Sequence, residues 1–256
     1  MHIGDPSQIA ELTGIDTVAD FRRRDLAAGG EGAPLAPLFH QAVLSHPEER
    51  RGVLNLGGIA NLTRLFPGEA CLGFDTGPAN ALLDAWIQRH RGEPYDSDGS
   101  WAATGQIDED LLRRCLADPY FALPPPKSTG KELFNGAWID AQLAGSDASR
   151  PPEQVQRTLL ELTALTVAQA VERHLDGCDR LILCGGGRHN GLLVDRLENL
   201  TRLPVERSDA FGVDGDALEA GLFAWLAHCA LERIPSPVAS ITGARGDRIL
   251  GAIYPG

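Results

Sequence analysis

A chain of 256 residues that is 43% hydrophobic can bury one large core or two small ones. Its formal net charge of −12 leaves no basic excess for nucleic acid or an acidic membrane surface, the run Arg22-Arg23-Arg24 being the main local exception. Five widely spaced cysteines without a CxxC pair read as reduced thiols of a cytoplasmic protein, and neither a run near the roughly 20 apolar residues of a membrane span nor a signal-like start is present.

From the N-terminus, Pro6-Ser7 signals a short helix, residues 17–21 a strand, and residues 34–44 a helix reached through a glycine-rich bend. Residues 50–76 read as three strands. The run Val53, Leu54, Leu56 reverses at Gly57-Gly58, the second strand (59–66) ends in the turn Pro67-Gly68-Glu69, and the third ends at Phe74-Asp75-Thr76-Gly77-Pro78. Pro78 suits a first helical position, and the helix 79–91 gathers Leu82, Leu83, Trp86 and Ile87 on one face. Prolines loosen the pattern between 93 and 135 apart from a helix at 108–116, and Thr129 with Glu132 reads as a capping box opening another helix. After a loop at 145–152 come a long helix (152–175), a strand (180–184), a helix (190–198), a strand (204–206) and a helix (216–233). Strands alternating with helices indicate an α/β protein.

Several of these junctions carry chemistry. Gly57-Gly58, with Asn61 after it, lets backbone N–H groups approach an anion that a side chain would exclude. Asp75 and Thr76 sit at a strand's carboxyl end, where Asp75 serves either a ligand or an Asx-type turn. Asp25, beside arginines and glycines, reads either as a general base in a cleft or as a cap or partner of those arginines, with Asp20 as its competitor. Lys127-Ser128-Thr129-Gly130 is no P-loop, because Gly130-Lys131 is followed by Glu132 and preceded by prolines. Gly185-Gly186-Gly187 with Asn190, after the strand Leu181-Ile182-Leu183-Cys184, allows close approach of a nucleotide. The rival there is a dinucleotide fingerprint with Glu206 on the ribose, weakened by Asn190 at the third glycine position. The histidines show no paired metal spacing, so no protein-bound metal is expected.

The strings DFRRRD, GAPLAP, LNLGGIANLT, GFDTGPAN with LLDAW, PPPKSTGKELFN, LCGGGRHN and LGAIYPG cover essentially the whole chain. Together they resemble the anhydro-N-acetylmuramic acid kinases, a family within the sugar kinase, Hsp70 and actin superfamily. The resemblance implies an α/β, ribonuclease H-like (actin-like ATPase) two-lobe kinase fold that uses ATP and Mg²⁺ and is a homodimer. It implies that 1,6-anhydro-N-acetylmuramic acid is opened by water and phosphorylated on the released oxygen, in cell-wall sugar recycling. It assigns the base to Asp25, phosphate donors to Gly57, Gly58 and Asn61, and adenosine contacts to Gly185, Gly186, Gly187 and Asn190. Asp75, Thr76, Gly77 and Asn80 would line the cleft floor, Lys127 would either meet the lactyl carboxylate or a phosphate or be a solvated lysine beside a helix cap, and Glu219 is either a cleft residue or an exposed charge. The family's N-terminal phosphate loop has no counterpart at the start of this chain, which therefore reads as a kinase with its first lobe truncated and a poor catalyst by itself. On that reading residues 1–48 are a remnant of the first lobe, 49–215 the second lobe, and 216–256 a return helix and C-terminal segment. The alternatives are a non-catalytic remnant that binds sugar or nucleotide, and an NAD-type oxidoreductase.

Overall fold

The computed structural model describes residues 4–144 and 150–256, so most of the loop expected at 145–152 lies outside the described residues. Asp5 caps the first helix, α1 (Pro6–Thr13), by accepting from the backbone N–H groups of Ser7 and Gln8, and Gly14 ends it in the left-handed region. The strand β1 (Thr17–Ala19) is shorter than expected. Asp20, at φ 60, stops it and opens α2 (Phe21–Ala27), so DFRRRD is a helix start rather than a strand end.

Next come α3 (Ala36–Leu44) and a meander of β2 (Arg51–Leu56), β3 (Ile59–Leu65) and β4 (Leu72–Pro78). Four helices follow: α4 (Asn80–Arg91), α5 (Glu109–Leu116), α6 (Gly136–Leu143) and α7 (Pro152–His174). The capping box expected at Thr129 and Glu132 does not form. Asn135 caps α6 instead, accepting from the N–H groups of Ala137 and Trp138. The remainder is β5 (Arg180–Cys184), α8 (Gly191–Thr201), β6 (Val205–Arg207), α9 (Leu218–Leu231), a short α10 (Ala239–Thr242) and β7 (Ala252–Tyr254).

The main sheet has the order β4-β3-β2-β5-β6, antiparallel through the meander and parallel from β2 to β6. Numbered from β2, this is the order 3-2-1-4-5 of the ribonuclease H-like fold. A second, two-stranded sheet pairs β1 with β7 antiparallel.

Period-two alternation gives the main sheet two apolar faces. Leu54, Leu56, Leu62 and Phe74 pack beneath α4, α7 and their neighbours, whereas Val53, Leu65 and Ile182 pack with Leu38 of α3 and Leu222 and Leu226 of α9. Each of these leucines is essentially buried and contributes about 1.5–3 kcal/mol. Gly221 lets α9 press on α3, since a β-carbon there would meet the Phe39 ring at 2.9 Å. Among the described residues no helix is long and apolar enough to cross a membrane, and Cys71, Cys115, Cys178, Cys184 and Cys229 are all free and buried.

Candidate active site

On the α3 and α9 face, the apolar surface of the sheet gives way to a polar row. Register pairs Asn55 of β2 with Asn61 of β3, and Asn61 with Asp75 of β4, beside a bulge between Ala60 and Asn61. All three line one wall of a cleft of about 480 Å³. Arg22, the Gly57-Gly58 turn, Thr129, Gly186 and Glu219 line the rest of it. Asn61 and Asp75 are buried, and Asn61 Oδ1 meets no donor among the described residues.

Asp75 has the chemistry of a base. Burial pushes its carboxyl up to about 7, against the pull of the Thr129 N–H and the nearby charges of Arg22 and Lys127. A carboxylate in that range accepts a proton near neutral pH. One segment fixes its backbone on both sides. Asp75 N donates to Lys127 O at 3.1 Å, and Tyr120 Oη donates to Asp75 O at 2.7 Å. Tyr120 is itself set by rings, with Phe121 and Phe134 at 6.0 and 5.6 Å between centroids.

Asp25 does not reach this cleft, which corrects the expectation that it is the base. It is fully buried in α2; one carboxylate oxygen accepts from Gly32 N at 2.7 Å and the other from Thr242 Oγ1 at 2.7 Å. A β-carbon on Gly30 would run into that carboxylate. Asp25 therefore latches α2 and its glycine-rich bend to α10. Asp20 accepts from Tyr254 Oη at 2.7 Å and pairs with Arg23, at the end of the small sheet. The arginine of that run that does line the cleft is Arg22, held by Gly32 O at 2.7 Å.

Other expected contacts divide by strand geometry. Thr76 points to the opposite face from Asp75, where Thr76 Oγ1 donates to Ala60 O. Gly77, at φ 155, is a packing glycine, because a β-carbon would meet the Phe121 ring at 2.7 Å. Lys127 also lies on the far side, with Nζ on Tyr120 O and over the Tyr120 ring at 4.5 Å, and burial beside Arg173 lowers its pKa. Neither Thr76, Gly77 nor Lys127 lines the cleft wall, so none of the three is a substrate contact in this geometry.

The glycines after β5 divide the same way. Gly185, at φ 76, abuts Asn55 and the Leu56 carbonyl, and a β-carbon on Gly187 would meet Leu56 Cβ at 2.7 Å. Gly186 has no such constraint, since a β-carbon there would come no nearer than 4.0 Å to Asn80 Nδ2. It lines both the first cleft and a second one of about 490 Å³, bounded by Asn80, Leu83, Asp84, Tyr95, Asp98 and Asn190. Asn80 joins the two glycine turns, Nδ2 donating to Leu56 O at 3.1 Å, while Asn190 caps α8 through Leu193 N. The dinucleotide reading fails at its acid, since Glu206 is ion-paired with Arg180 rather than free for a ribose.

Asn55, Thr129 and Arg22 are cleft residues that sequence reading did not single out for this role. The asparagine row follows from register, which periodicity along one strand does not reveal. Among the described residues no group of three or more His, Cys, Asp or Glu is arranged to hold a metal. The cleft does offer the carboxylates Asp75, Asp216 and Glu219. Magnesium binds through one or two carboxylates, its own waters and phosphate oxygens, so this donor set fits an ion carried in by a polyphosphate.

All of residues 1–256 match the family described as anhydro-N-acetylmuramic acid kinase. The protein of that name from Bordetella petrii is 54% identical over 257 residues, covering 100% of this chain and 68% of the relative. Its counterpart from Xanthomonas campestris pv. campestris is 58% identical over 256 residues, covering 99% and 67%. The chain thus spans about two thirds of the length of these relatives. Among solved structures, xylulose kinase from Rhodospirillum rubrum is similar at 17% identity and a TM-score of 0.48, over 76% of this chain and 40% of that one.

Proposed function

This chain belongs to the anhydro-N-acetylmuramic acid kinase family and is an ATP-dependent sugar kinase, and from that premise we propose that Asp75 is the base of its reaction. The observation that carries this is a buried carboxyl pushed up to about 7 on the wall of a cleft that adjoins a second cleft at Gly186. The substrate is 1,6-anhydro-N-acetylmuramic acid, and the compartment is the cytoplasm, where its product re-enters cell-wall sugar metabolism.

Asp75 takes one proton from a water molecule, and the hydroxide bonds to the anomeric carbon as the bond from that carbon to the bridging oxygen breaks. The electron pair stays on the oxygen at carbon 6, which attacks the γ-phosphorus of ATP. ADP leaves and the proton on Asp75 passes to solvent. Arg22 and the Gly57-Gly58 turn stabilise charge that develops on the transferring group. Magnesium would supply further charge neutralisation, and Glu219 together with Asp216, which is shared with Arg188, would hold its waters. The adenosine lies in the second cleft between Tyr95, Asp98 and Gly186.

The test follows product formed from ATP in ¹⁸O-water, with a protein of the relatives' full length and the 256-residue chain alongside. The label is expected on the anomeric hydroxyl and not in the phosphate, and an unbridged N-acetylmuramic acid is expected to react far more slowly. Equal turnover of the unbridged sugar would reduce the activity to ordinary hydroxyl phosphorylation.

A further inference from the structure

The nucleotide's phosphates must pass from the second cleft to the first, and the residues at that crossing are the Gly57-Gly58 turn, Asn80 and Gly186. The turn is fixed from behind. Ala79 N and Ala81 N donate to Gly58 O at 3.0 Å, and Asn80 N donates to Gly57 O at 3.1 Å, so both carbonyls face α4. In front of it lies Lys131, because a β-carbon on Gly58 would meet Lys131 Cε at 2.9 Å and Nζ at 3.7 Å.

No carboxylate among the described residues comes within ion-pair distance of that ammonium group. The acid that feels it is Asp84, which burial pushes up to about 6 and Lys131 pulls back down. Asp84 lines the second cleft and Gly58 the first, and the ammonium lies close to both residues although Lys131 itself lines neither cleft. Among the described residues that line the first cleft, Asp75 and Glu219 face the one cation Arg22, while Asp216 is already ion-paired with Arg188 behind it. Such a surface repels a polyphosphate unless further positive charge is brought to it. Lys127 cannot supply that charge, being turned to Tyr120 on the far face of the sheet.

We infer that Lys131 is the side chain that grips the terminal phosphates of the bound nucleoside triphosphate over the Gly57-Gly58 turn. This rests on the kinase reading above. Being exposed, Lys131 can be replaced without disturbing the core.

Calorimetric titration of ATP and of adenosine into the wild type, Lys131→Met and Lys131→Arg tests the inference, with thermal midpoints recorded in parallel. ATP affinity should fall at least about tenfold in Lys131→Met, the scale of one lost charge-assisted contact. Adenosine affinity and the midpoint should hold, and arginine should restore most of the loss. Unchanged ATP affinity, or parallel weakening of ATP and adenosine, overturns the role of Lys131 while leaving the kinase reading intact. A wild type that binds neither ligand overturns both.

Discussion

Thr129 donates its backbone N–H to Asp75 Oδ2 at 2.9 Å, across 54 positions of sequence. That bond favours the ionised carboxylate, whereas burial disfavours it more strongly, and the balance keeps Asp75 protonatable near neutral pH. The segment from Tyr120 to Thr129 therefore fixes the backbone of Asp75 and tempers the rise in pKa that burial causes.

Asp75→Asn keeps the size of the side chain and removes the proton acceptor. Turnover should drop by at least about a hundredfold with sugar binding retained. Steady-state kinetics together with a direct sugar-binding titration decide the point, and near-normal turnover would remove Asp75 from the chemistry.

The raised pKa also ties activity and stability to pH with opposite signs. Between the ordinary carboxyl value of 3.8 and about 7, folded Asp75 holds a proton that the unfolded chain has lost. Its contribution to stability is therefore greatest below that window and declines as pH rises through it, by about 4 kcal/mol in the limit of the full shift. Turnover should rise over the upper part of the same window as the free base forms. Denaturation curves at pH 5 and 8 should show Asp75→Asn gaining on the wild type at the higher pH. A mutant whose disadvantage grows with pH would contradict this.

Asp25→Asn should behave as a structural lesion. An amide in place of the carboxylate can still accept from Gly32 N and donate to Thr242 Oγ1, whose hydroxyl then turns to Val238 O, so two buried charge-assisted bonds become neutral ones. A loss of about 1–3 kcal/mol is expected in chemical denaturation, with turnover per folded molecule within a few-fold of normal. Abolished turnover in a fully folded variant would return the base to Asp25.

Among the three glycines after β5, substitution should separate ligand from fold. Gly187→Ala drives a methyl into Leu56 and should lower the thermal midpoint. Gly186→Val meets open space and should leave the midpoint nearly unchanged while weakening ATP binding. Identical stability losses at the two positions would show that Gly186 too is there for packing.

The meander, its glycine turn and the long α7 were legible because their signals are local: apolar runs bounded by turn residues and a sustained helical period. The helix at DFRRRD was hidden by Asp20, whose left-handed backbone ends β1 two residues early and leaves no compositional trace. The site was legible as motifs and misread as side chains. Adjacent residues in GFDTGPAN point to opposite faces, so Asp75 enters the cleft and Thr76 cannot. Asp25 looked catalytic because what encloses it, Thr242, is 217 positions away. Lys127 looked available because the Tyr120 ring beneath it belongs to a separate turn.

Gly186 belongs to the walls of both clefts, which makes the two compartments one address for an inhibitor. A compound joining an adenosine end to an anhydrosugar end would cross the partition over a residue with no side chain to displace. Once one end is seated, the other searches only a tether's length of space, so two weak fragments combine into a tight ligand without any new contact. The tether most suited to this is a short anionic one, since it would follow the path proposed above for the phosphates.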